Sequence, residues 1–571
     1  MLYVSLKFGP QFDPHYSEDS LNILGLGVTE AGLASADTQV MLDLYDLLKT
    51  VQLNLGKGIW QPPDTPNKKL CVINMDNVPN NGDILRQHMM TRAAADNDNT
   101  DSDSGMVDFL TDQVVFFNTM VDRITSQRDG SNGMVPKCEP TPAKALVICD
   151  PSKDMPPEFD NESMKSHYGL VIRNDPLQIQ GDIALKLRVA NATHTAIAHV
   201  MSLVSWTNTD ALAVALTTAT MDGDSEKKDE DTTLTAKLFM SYLDSLVEHQ
   251  IKPSSFPGFG SHCPESQAAY DDWRPRLTHP HFGLSCFFIT QNGAAKGGIR
   301  MGPTVLDLLQ SGKPLTVTMA YAFAVLMRWL TPRSNDPSKN SGAVCTGWLA
   351  GADRTATIDK NAEDSGTVSY ADGLSHNLKE GWYEFRCACN VVLEEGDAPV
   401  ALSEILAGIA SSPRQPGAYY KGIRLYLLAA DGGSLGQVAK KPDFEVFVKA
   451  VATLYARMVA GDSLVEMLEE MSEASGPYEP KGMATEIAAL VDGADLAAGR
   501  PLFYRANPIP LSSQLLKAPV TAEDADSAVV SEVSSALVVD LHTHLLPPSH
   551  GPLCLWGIDE LLTYVSTTNS G

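Results

Sequence analysis

Basic residues are scarce in this sequence. Its 571 residues contain 43 lysines and arginines against 70 aspartates and glutamates, which gives a formal net charge of -27 at pH 7. Binding to nucleic acid or to an anionic membrane needs a basic surface that displaces counterions. The composition therefore argues against both partners. Acidic stretches at 93–105, at 222–232 and from 466 onward are interpreted as solvated loops, since 222–232 lacks the central glycine and terminal glutamate of a calcium loop.

The chain also has no long apolar run, no leader-like start and no cysteine framework. The longest apolar run, residues 315–330, is short for a membrane span and contains Arg328. The first fourteen residues have neither a sustained apolar stretch nor a cleavage signature. Nine scattered cysteines suggest neither a disulfide framework nor a four-cysteine zinc site. We predict a cytoplasmic protein of two or three domains.

The first third has the pattern of a parallel sheet. Apolar runs at 21–28, 70–75 and 113–117 each end in polar residues, and the third precedes a helix-like stretch at 118–125. Helical patterns at 40–55 and 82–92 separate the runs. Strands that are apolar throughout and alternate with helices are typical of a parallel sheet covered on both faces. Because ligands bind beyond the carboxyl ends of such strands, the polar clusters mark where chemistry is expected.

From about residue 160 the pattern becomes helical. Helices are predicted at 186–206, 235–250, 304–309, 315–330, 399–410, 444–458 and 464–471. The glycine-rich segment 292–303 is predicted to be a loop that presents Lys296 and Arg300. A second glycine-rich segment, 25–32, follows an apolar run, but Glu30 stands where a dinucleotide-binding fingerprint has its third glycine. That segment is predicted to be a plain strand-to-loop transition.

The segment "LKLRVANATHT", residues 185–195, carries the clearest chemistry. On a regular α-helix Lys186, His194 and Asn191 lie at roughly 0°, 80° and 140°, on one side, at the head of an apolar stripe. A lysine there either extends its ammonium to water or has a lowered pKa. Beside an amide and an imidazole, such a lysine is a competent acid/base for a carbonyl/alcohol couple. The alternative is a surface Lys186 and a structural core His194.

These residues resemble the mannitol dehydrogenase family, the polyol-specific long-chain dehydrogenases and reductases that include mannitol 2-dehydrogenase, fructuronate reductase and tagaturonate reductase. The family's Lys-x4-Asn-x2-His motif stands at Lys186, Asn191 and His194. Its Asp-Asn-x-x-x-Asn-Gly loop stands at 76–82, and its Asn-x-Met-Val-Asp-Arg-Ile-Thr motif at 118–125. "TEAG" at 29–32, "CEP" at 138–140, and Lys296 ahead of Pro303 also match. The matches span roughly residues 20–475 in the family's order.

The resemblance implies a metal-independent enzyme that uses NAD or NADP to interconvert a ketose-type carbonyl and a secondary alcohol. It makes Lys186 the general acid in reduction and assigns the polarising of the reacting oxygen to Asn191 and Asn77. The implied substrate contacts are His194, Asp122 and Lys296, and Thr29 and Glu30 are the candidate cofactor contacts. If the substrate is an acid, Lys296 or Arg300 would meet its carboxylate.

The resemblance starts near the middle of the family's nucleotide-binding sheet. We therefore predict a fold that is α/β and then mostly α, with a partial Rossmann-like parallel sheet at 1–155 that lacks its first strands. A helical domain of the mannitol dehydrogenase type follows at 156–475, then an acidic linker at 476–535 and a short tail at 536–571. A truncated or degenerate paralogue without catalysis is the last alternative for function.

The tail bears on the choice of substrate. "DLHTHLLPPSHGPLCLWGIDELLTY", residues 540–564, resembles the start of uronate isomerase, a member of the amidohydrolase superfamily. His542 and His544 would be the remnant of its metal-binding pair, and no metal is expected in the reductase part. Uronate isomerase makes tagaturonate or fructuronate, so a fusion of the two enzymes favours a keto-hexuronate substrate, reduced to the aldonate. Polyol and ketose interconversion of the mannitol 2-dehydrogenase type is the first alternative.

Overall fold

A computed structural model describes most of the chain up to residue 472. The described residues are 23–28, 31–58, 69–76, 78–99, 105–122, 142–204, 206, 208–218, 227–279, 283–284, 286–290, 293–313, 315–330, 357–358, 366–369, 375–378, 390–391, 400–401, 416–429, 435–460 and 462–472. The chain divides into two compact units, Met1–Ile183 with Ala518–Gly571, and Ala184–Lys517. We call the first the N-terminal domain and the second the helical domain.

The N-terminal domain contains a five-stranded sheet whose strand order follows the chain. Its strands are β1 (Ile23–Leu26), β2 (Leu70–Asn74), β3 (Val114–Val121), β4 (Leu146–Cys149) and β5 (Leu170–Arg173). Strands β1, β2 and β3 are parallel, β3 and β4 are antiparallel, and β4 and β5 are parallel. The predicted parallel sheet followed by a mostly helical region is confirmed.

Helices cover both faces of this sheet. They are α1 (Gln39–Gly56), α2 (Asn81–Asn99), α3 (Met106–Asp112), α4 (Glu162–Tyr168) and α5 (Pro176–Leu185). Alternate residues of β2 enter opposite cores: Leu70 and Val72 pack with α1, α2 and α3, whereas Cys71 and Ile73 pack with residues around α4. Because successive side chains of a strand point to opposite faces, a sheet covered on both sides needs strands that are apolar throughout.

Strand β3 is longer than predicted, and the helix expected at 118–125 is wrong for its described part. The strand continues through Asn118 and Thr119 to Val121 and pairs with β4 along this extension. Polar residues are accommodated in the strand because they form hydrogen bonds there. The Asn81 side chain accepts from the Thr119 amide at 3.0 Å and donates to Thr119 Oγ1 at 2.8 Å.

The first element that lies wholly within the helical domain is a π-helical turn, Lys186–Asn191, which leads into α6 (Ala192–Leu203). Its other helices are α7 (Asp210–Thr218), α8 (Lys227–Leu246), a second π-helical turn at Val247–Ile251, α9 (Pro264–Leu277), α10 (Cys286–Thr290), α11 (Gly293–Gln310), α12 (Val317–Leu330), α13 (Pro416–Ala429), α14 (Pro442–Ala460) and α15 (Leu464–Ser472). Among the described helices, none is both long and apolar enough to cross a membrane.

Short antiparallel strand pairs also occur in the helical domain. Strand β6 (Ser255–Phe256) pairs with β7 (Gly260–Ser261), and β11 (Asn390–Val391) pairs with β12 (Val400–Ala401). Strand β9 (Gly366–Ser369) lies between β8 (Thr357–Ile358) and β10 (Ser375–Leu378) and pairs with both. Strand β12 contradicts the helix predicted to start at 399. Pairing with Asn390 and Val391 decides its conformation, and such a contact gives no periodic signal in the sequence.

Residues 293–303 of the glycine-rich segment are helical, so the predicted loop is wrong there. Each glycine lowers helix stability by roughly 1 kcal/mol relative to alanine, which is why the sequence suggested a loop. Close packing explains the glycines instead. A Cβ at Gly297 would lie 2.5 Å from the hydroxyl of Tyr426, and one at Gly293 would lie 3.0 Å from His199 Nε2. Helix α11 therefore approaches its neighbours at a distance that side chains would prevent.

Gly82 permits a similarly close approach in the N-terminal domain. A Cβ on Gly82 would overlap the carbonyl group of Phe117 and lie 2.7 Å from the Asn118 nitrogen. Both neighbours belong to the backbone of β3, so they cannot turn aside. The first turn of α2 is thereby held against the strand.

We expect Gly82→Ala to lower the melting temperature of the N-terminal domain, because overpacking costs about 1–3 kcal/mol. Gly56→Ala is the matched control, since Gly56 is also helical and a Cβ there would meet nothing within 4 Å. Differential scanning calorimetry of both variants measures the difference. Equal melting temperatures for the two variants would contradict the close approach.

Candidate active site

The π-helical turn carries the predicted catalytic lysine and asparagine at its two ends. Lys186 and Asn191 are both half-buried. In a π turn the backbone hydrogen bond joins residues five apart, so these two residues stack along the axis more closely than on a regular helix. Such turns occur mostly inside α-helices and frequently at functional sites. The turn places an ammonium and an amide on neighbouring positions of one helical surface.

The hydroxyl of Thr193 and the indole of Trp273 hold the end of this turn. The Thr193 hydroxyl donates to the carbonyl oxygens of Val189 and Ala190, at 2.5 and 3.1 Å. Trp273, on α9, donates from Nε1 to Thr193 Oγ1 at 2.9 Å. These bonds satisfy buried polar groups where the helical pattern changes from π to α.

Helix α11 brings Arg300 to the same segment. It packs against both the π turn and α6. Arg300 Nη1 donates to Thr195 Oγ1 at 2.6 Å and lies 3.5 Å from the carbonyl oxygen of Asn191. The Arg300 guanidinium is half-buried, and loss of solvent lowers its pKa to about 10. Arg300 thus contacts the backbone of a residue 109 positions earlier in the sequence.

Lys296 lies one helical turn before Arg300 and is also half-buried. Its Nζ donates to the carbonyl oxygen of Ile289 at 2.8 Å. Burial, together with the charge of Arg300, lowers the pKa of Lys296 to about 7. Lys296 is therefore charged below about pH 7 and becomes neutral above it.

His194 is buried beside these cations. Its ring meets the ring of Trp273 edge-on, with centroids 5.2 Å apart. Burial, followed by the charges of Arg300, Lys296 and Arg276, lowers the pKa of His194 to about 3. At neutral pH the imidazole is uncharged, so it can donate one hydrogen bond to an oxygen while adding no positive charge.

Trp273, Thr193 and Thr195 were not among the predicted site residues. Thr193 and Thr195 flank His194 within residues 185–195, the segment predicted to carry the chemistry, so their closeness to the site could be inferred from sequence. Trp273 stands 79 residues after His194 and its closeness could not, because only folding brings α9 onto the π turn.

The other predicted site residues belong to the N-terminal domain or to the tail. Asp122 directly follows β3; it is buried, and its amide donates to the carbonyl oxygen of Ala145 at 3.0 Å. Asn77, Thr29, Glu30, His542 and His544 lie outside the described residues. Their roles stay predictions.

Comparison with known proteins gives one match to a protein family. Residues 16–151 match the family described as the mannitol dehydrogenase Rossmann domain. The N-terminal domain resembles that domain. The match supports the mannitol dehydrogenase family over this part of the chain, and no curated protein sequence matches.

Solved structures give more distant likenesses. Mannitol 2-dehydrogenase of Pseudomonas fluorescens, in a ternary complex with NAD and D-mannitol, is 17% identical with a TM-score of 0.41, over 78% of this chain and 73% of that one. A substrate-free D-sorbitol dehydrogenase is 16% identical with a TM-score of 0.40, over 76% and 74%. At these values neither likeness defines the fold or the activity of this chain.

The sheet of the N-terminal domain has the arrangement that binds nicotinamide nucleotides, and its described residues form no phosphate-binding loop. The carboxyl ends of β1, β2 and β3 lie at one edge, where dinucleotides bind in such sheets. The amides there are engaged within the domain, however. Asn74 bonds the Val28 backbone at 2.9 and 3.0 Å, and Asn81 donates to the carbonyl oxygens of Asn74 and Asp76. We assign no described residue to the pyrophosphate.

We expect the imidazole of His194 to stay neutral from about pH 8 down to about pH 5, whereas a solvated histidine titrates with a pKa of ~6.5. NMR of protein with labelled histidine checks this, with the His194 signal assigned by its loss in His194→Gln. Lys296→Met removes one neighbouring cation and should raise the pKa of His194. A His194 titration centred near pH 6.5 in the unaltered protein would contradict the buried, cation-flanked site.

Proposed function

We propose that this chain is an NAD(P)-dependent oxidoreductase that interconverts a ketose-type carbonyl and a secondary alcohol. The convergence of Arg300 on Asn191 and Thr195, beside Lys186 and His194, carries the proposal. Two distant sequence segments meet at the residues on which an acid/base site for this reaction would depend. The family match over residues 16–151 supports the cofactor class.

Each side chain has a distinct part in this proposal. The nicotinamide cofactor supplies or accepts the hydride when it is bound. Lys186 moves the proton to the oxygen in reduction and takes it back in oxidation. The Asn191 amide and the neutral imidazole of His194 hold that oxygen by hydrogen bonds, which strengthen as negative charge develops on it. Asn77 is proposed as a further donor, and Asp122 as a ligand of the substrate hydroxyls.

For the substrate we propose a keto-hexuronate, tagaturonate or fructuronate, that is reduced to the aldonate. The charges that act on His194 are those of Arg300, Lys296 and Arg276, all cationic. Arg276 already pairs with Asp272 at 3.0 Å, whereas Lys296 and Arg300 are half-buried cations that an anion would stabilise. Arginine in particular binds carboxylates. The resemblance of residues 540–564 to uronate isomerase supports the same choice, because that enzyme would supply the substrate.

A polyol of the mannitol type is the alternative substrate. The family match over residues 16–151 supports it as well as it supports a hexuronate. Lysine and arginine also donate hydrogen bonds to hydroxyl groups, so the cations alone fit both classes. Activity on an uncharged ketose or polyol, compared with activity on a keto-hexuronate, separates them.

We expect Lys186→Ala to lower kcat by roughly 10²-fold or more, because general acid/base groups contribute on this scale. The measurement is the oxidation of NADH or NADPH by the full chain with tagaturonate, fructuronate and fructose in turn. Lys440→Ala is the control, since Lys440 is an exposed lysine of the same domain. An unchanged kcat in Lys186→Ala would refute the acid/base role, and turnover of fructose alone would refute the hexuronate proposal.

We expect Lys296→Met to raise the KM for a keto-hexuronate by about tenfold at pH 6, where Lys296 is charged, since a hydrogen bond to a charged group contributes about 1.5–3 kcal/mol. In the unaltered protein the same KM should rise as the pH passes through about 7, because Lys296 loses its proton there. The KM for fructose, which has no carboxylate, serves as the control. Equal pH dependence for both substrates, retained in Lys296→Met, would contradict a carboxylate contact.

A further inference from the structure

We propose that Arg188 is a positioning residue that holds the π turn in the register at which Lys186 and Asn191 work. The role of those two residues rests on the function proposed above. Arg188 lies inside the turn, two residues after Lys186. It acts through a group of contacts that we call the Arg188 anchor: Arg188, the backbone of Ser255, the ring of Phe256 and the carboxylate of Asp307.

The first half of the anchor joins the π turn to the β6–β7 hairpin. Arg188 Nη1 donates to the carbonyl oxygen of Ser255 at 2.9 Å. The Arg188 guanidinium carbon also lies 5.3 Å from the centroid of the Phe256 ring, within the range of a cation–π contact. Phe256 is fully buried, so the surface on which Arg188 rests is itself fixed by the core.

The second half joins the hairpin to α11. The Ser255 amide donates to Asp307 Oδ2 at 2.6 Å. Burial lowers the pKa of Arg188, and the Asp307 carboxylate opposes that shift by favouring the charged guanidinium. Asp307 stands two helical turns after Arg300. Helix α11 is thus bonded to the turn at two points, through Arg300 to Asn191 and through Asp307 and Ser255 to Arg188.

A π turn needs such support, because it contains one residue more than the α-helical turn it replaces and is rare for that reason. If the turn relaxed to an α-helix, the residues before it would rotate by about 100° relative to those after it. Lys186 would then lie roughly 140° from Asn191 and roughly 80° from His194 around the helix axis, farther from both than in the π turn. Thr193 and Trp273 secure the end of the turn, and Arg188 secures its middle.

The test compares Arg188→Met, which keeps the length of the side chain and removes its charge and donors, with Arg188→Lys, which keeps the charge. Lys440→Met is the matched control, because it removes an exposed charge from the same domain. Hydrogen–deuterium exchange of the full chain, read by mass spectrometry on peptides that cover 185–203, reports on the turn without any need for activity. Melting temperature, kcat and KM are measured on the same preparations.

For Arg188→Met we expect roughly tenfold faster hydrogen–deuterium exchange that is confined to residues 186–195. Exchange in Arg188→Lys should be intermediate, and exchange in Lys440→Met should equal that of the unaltered protein. With an active substrate, kcat should fall by about 10- to 100-fold at nearly constant KM, since misplacing reacting groups by about 1 Å can cost on the order of 10²-fold. Partial recovery of kcat in Arg188→Lys would separate positioning from a loss of folding.

Two results would overturn the anchor. One is unchanged exchange over 186–195 in Arg188→Met. The other is faster exchange across the whole helical domain together with a large loss of melting temperature, which would make Arg188 a general stabiliser. If no preparation reduces any of the substrates, the proposed function fails, and the exchange data still decide whether Arg188 holds the turn.

Discussion

The half-buried guanidinium of Arg300 is the constraint on which the candidate site depends. Even with its pKa lowered to about 10 it stays charged at neutral pH, so it must meet oxygen atoms inside the protein. Those atoms are the Thr195 hydroxyl and the Asn191 carbonyl. Helix α11 can come close to α6 because Gly293 faces His199, where a Cβ would lie 3.0 Å from Nε2. The close packing at the glycine and the hydrogen bonds of the buried arginine therefore both hold α11 against α6.

Three ionisable side chains of the site differ in how their charge depends on pH. His194 is held neutral, Lys296 changes its charge near pH 7, and Arg300 keeps its charge. An anion bound beside Lys296 would favour the protonated lysine, so binding and proton uptake would be coupled. The sequence as a whole carries a formal charge of -27, which repels anions. The cations of the site therefore attract an anion only at short range.

The sequence predicted the elements whose burial is regular and missed those that depend on distant contacts. The apolar runs at 70–75 and 113–117 identified β2 and β3, because strands buried on both faces need continuous apolar residues. The Lys186, Asn191 and His194 motif was visible, but its π geometry was not, since a helical wheel assumes 3.6 residues per turn. Gly293 and Gly297 suggested a loop because their partners, among them Tyr426, lie far along the chain.

The order of the strands in the N-terminal domain has a consequence for how the chain folds. Each strand of the sheet pairs with its nearest neighbour in sequence, from β1 to β5, so the described strands contain no pairing that skips a strand. Closing the loop between strands that follow one another in the chain costs less entropy than closing a longer loop. During synthesis each new strand can therefore add to an edge that is already in place, and the sheet can grow in the direction of translation.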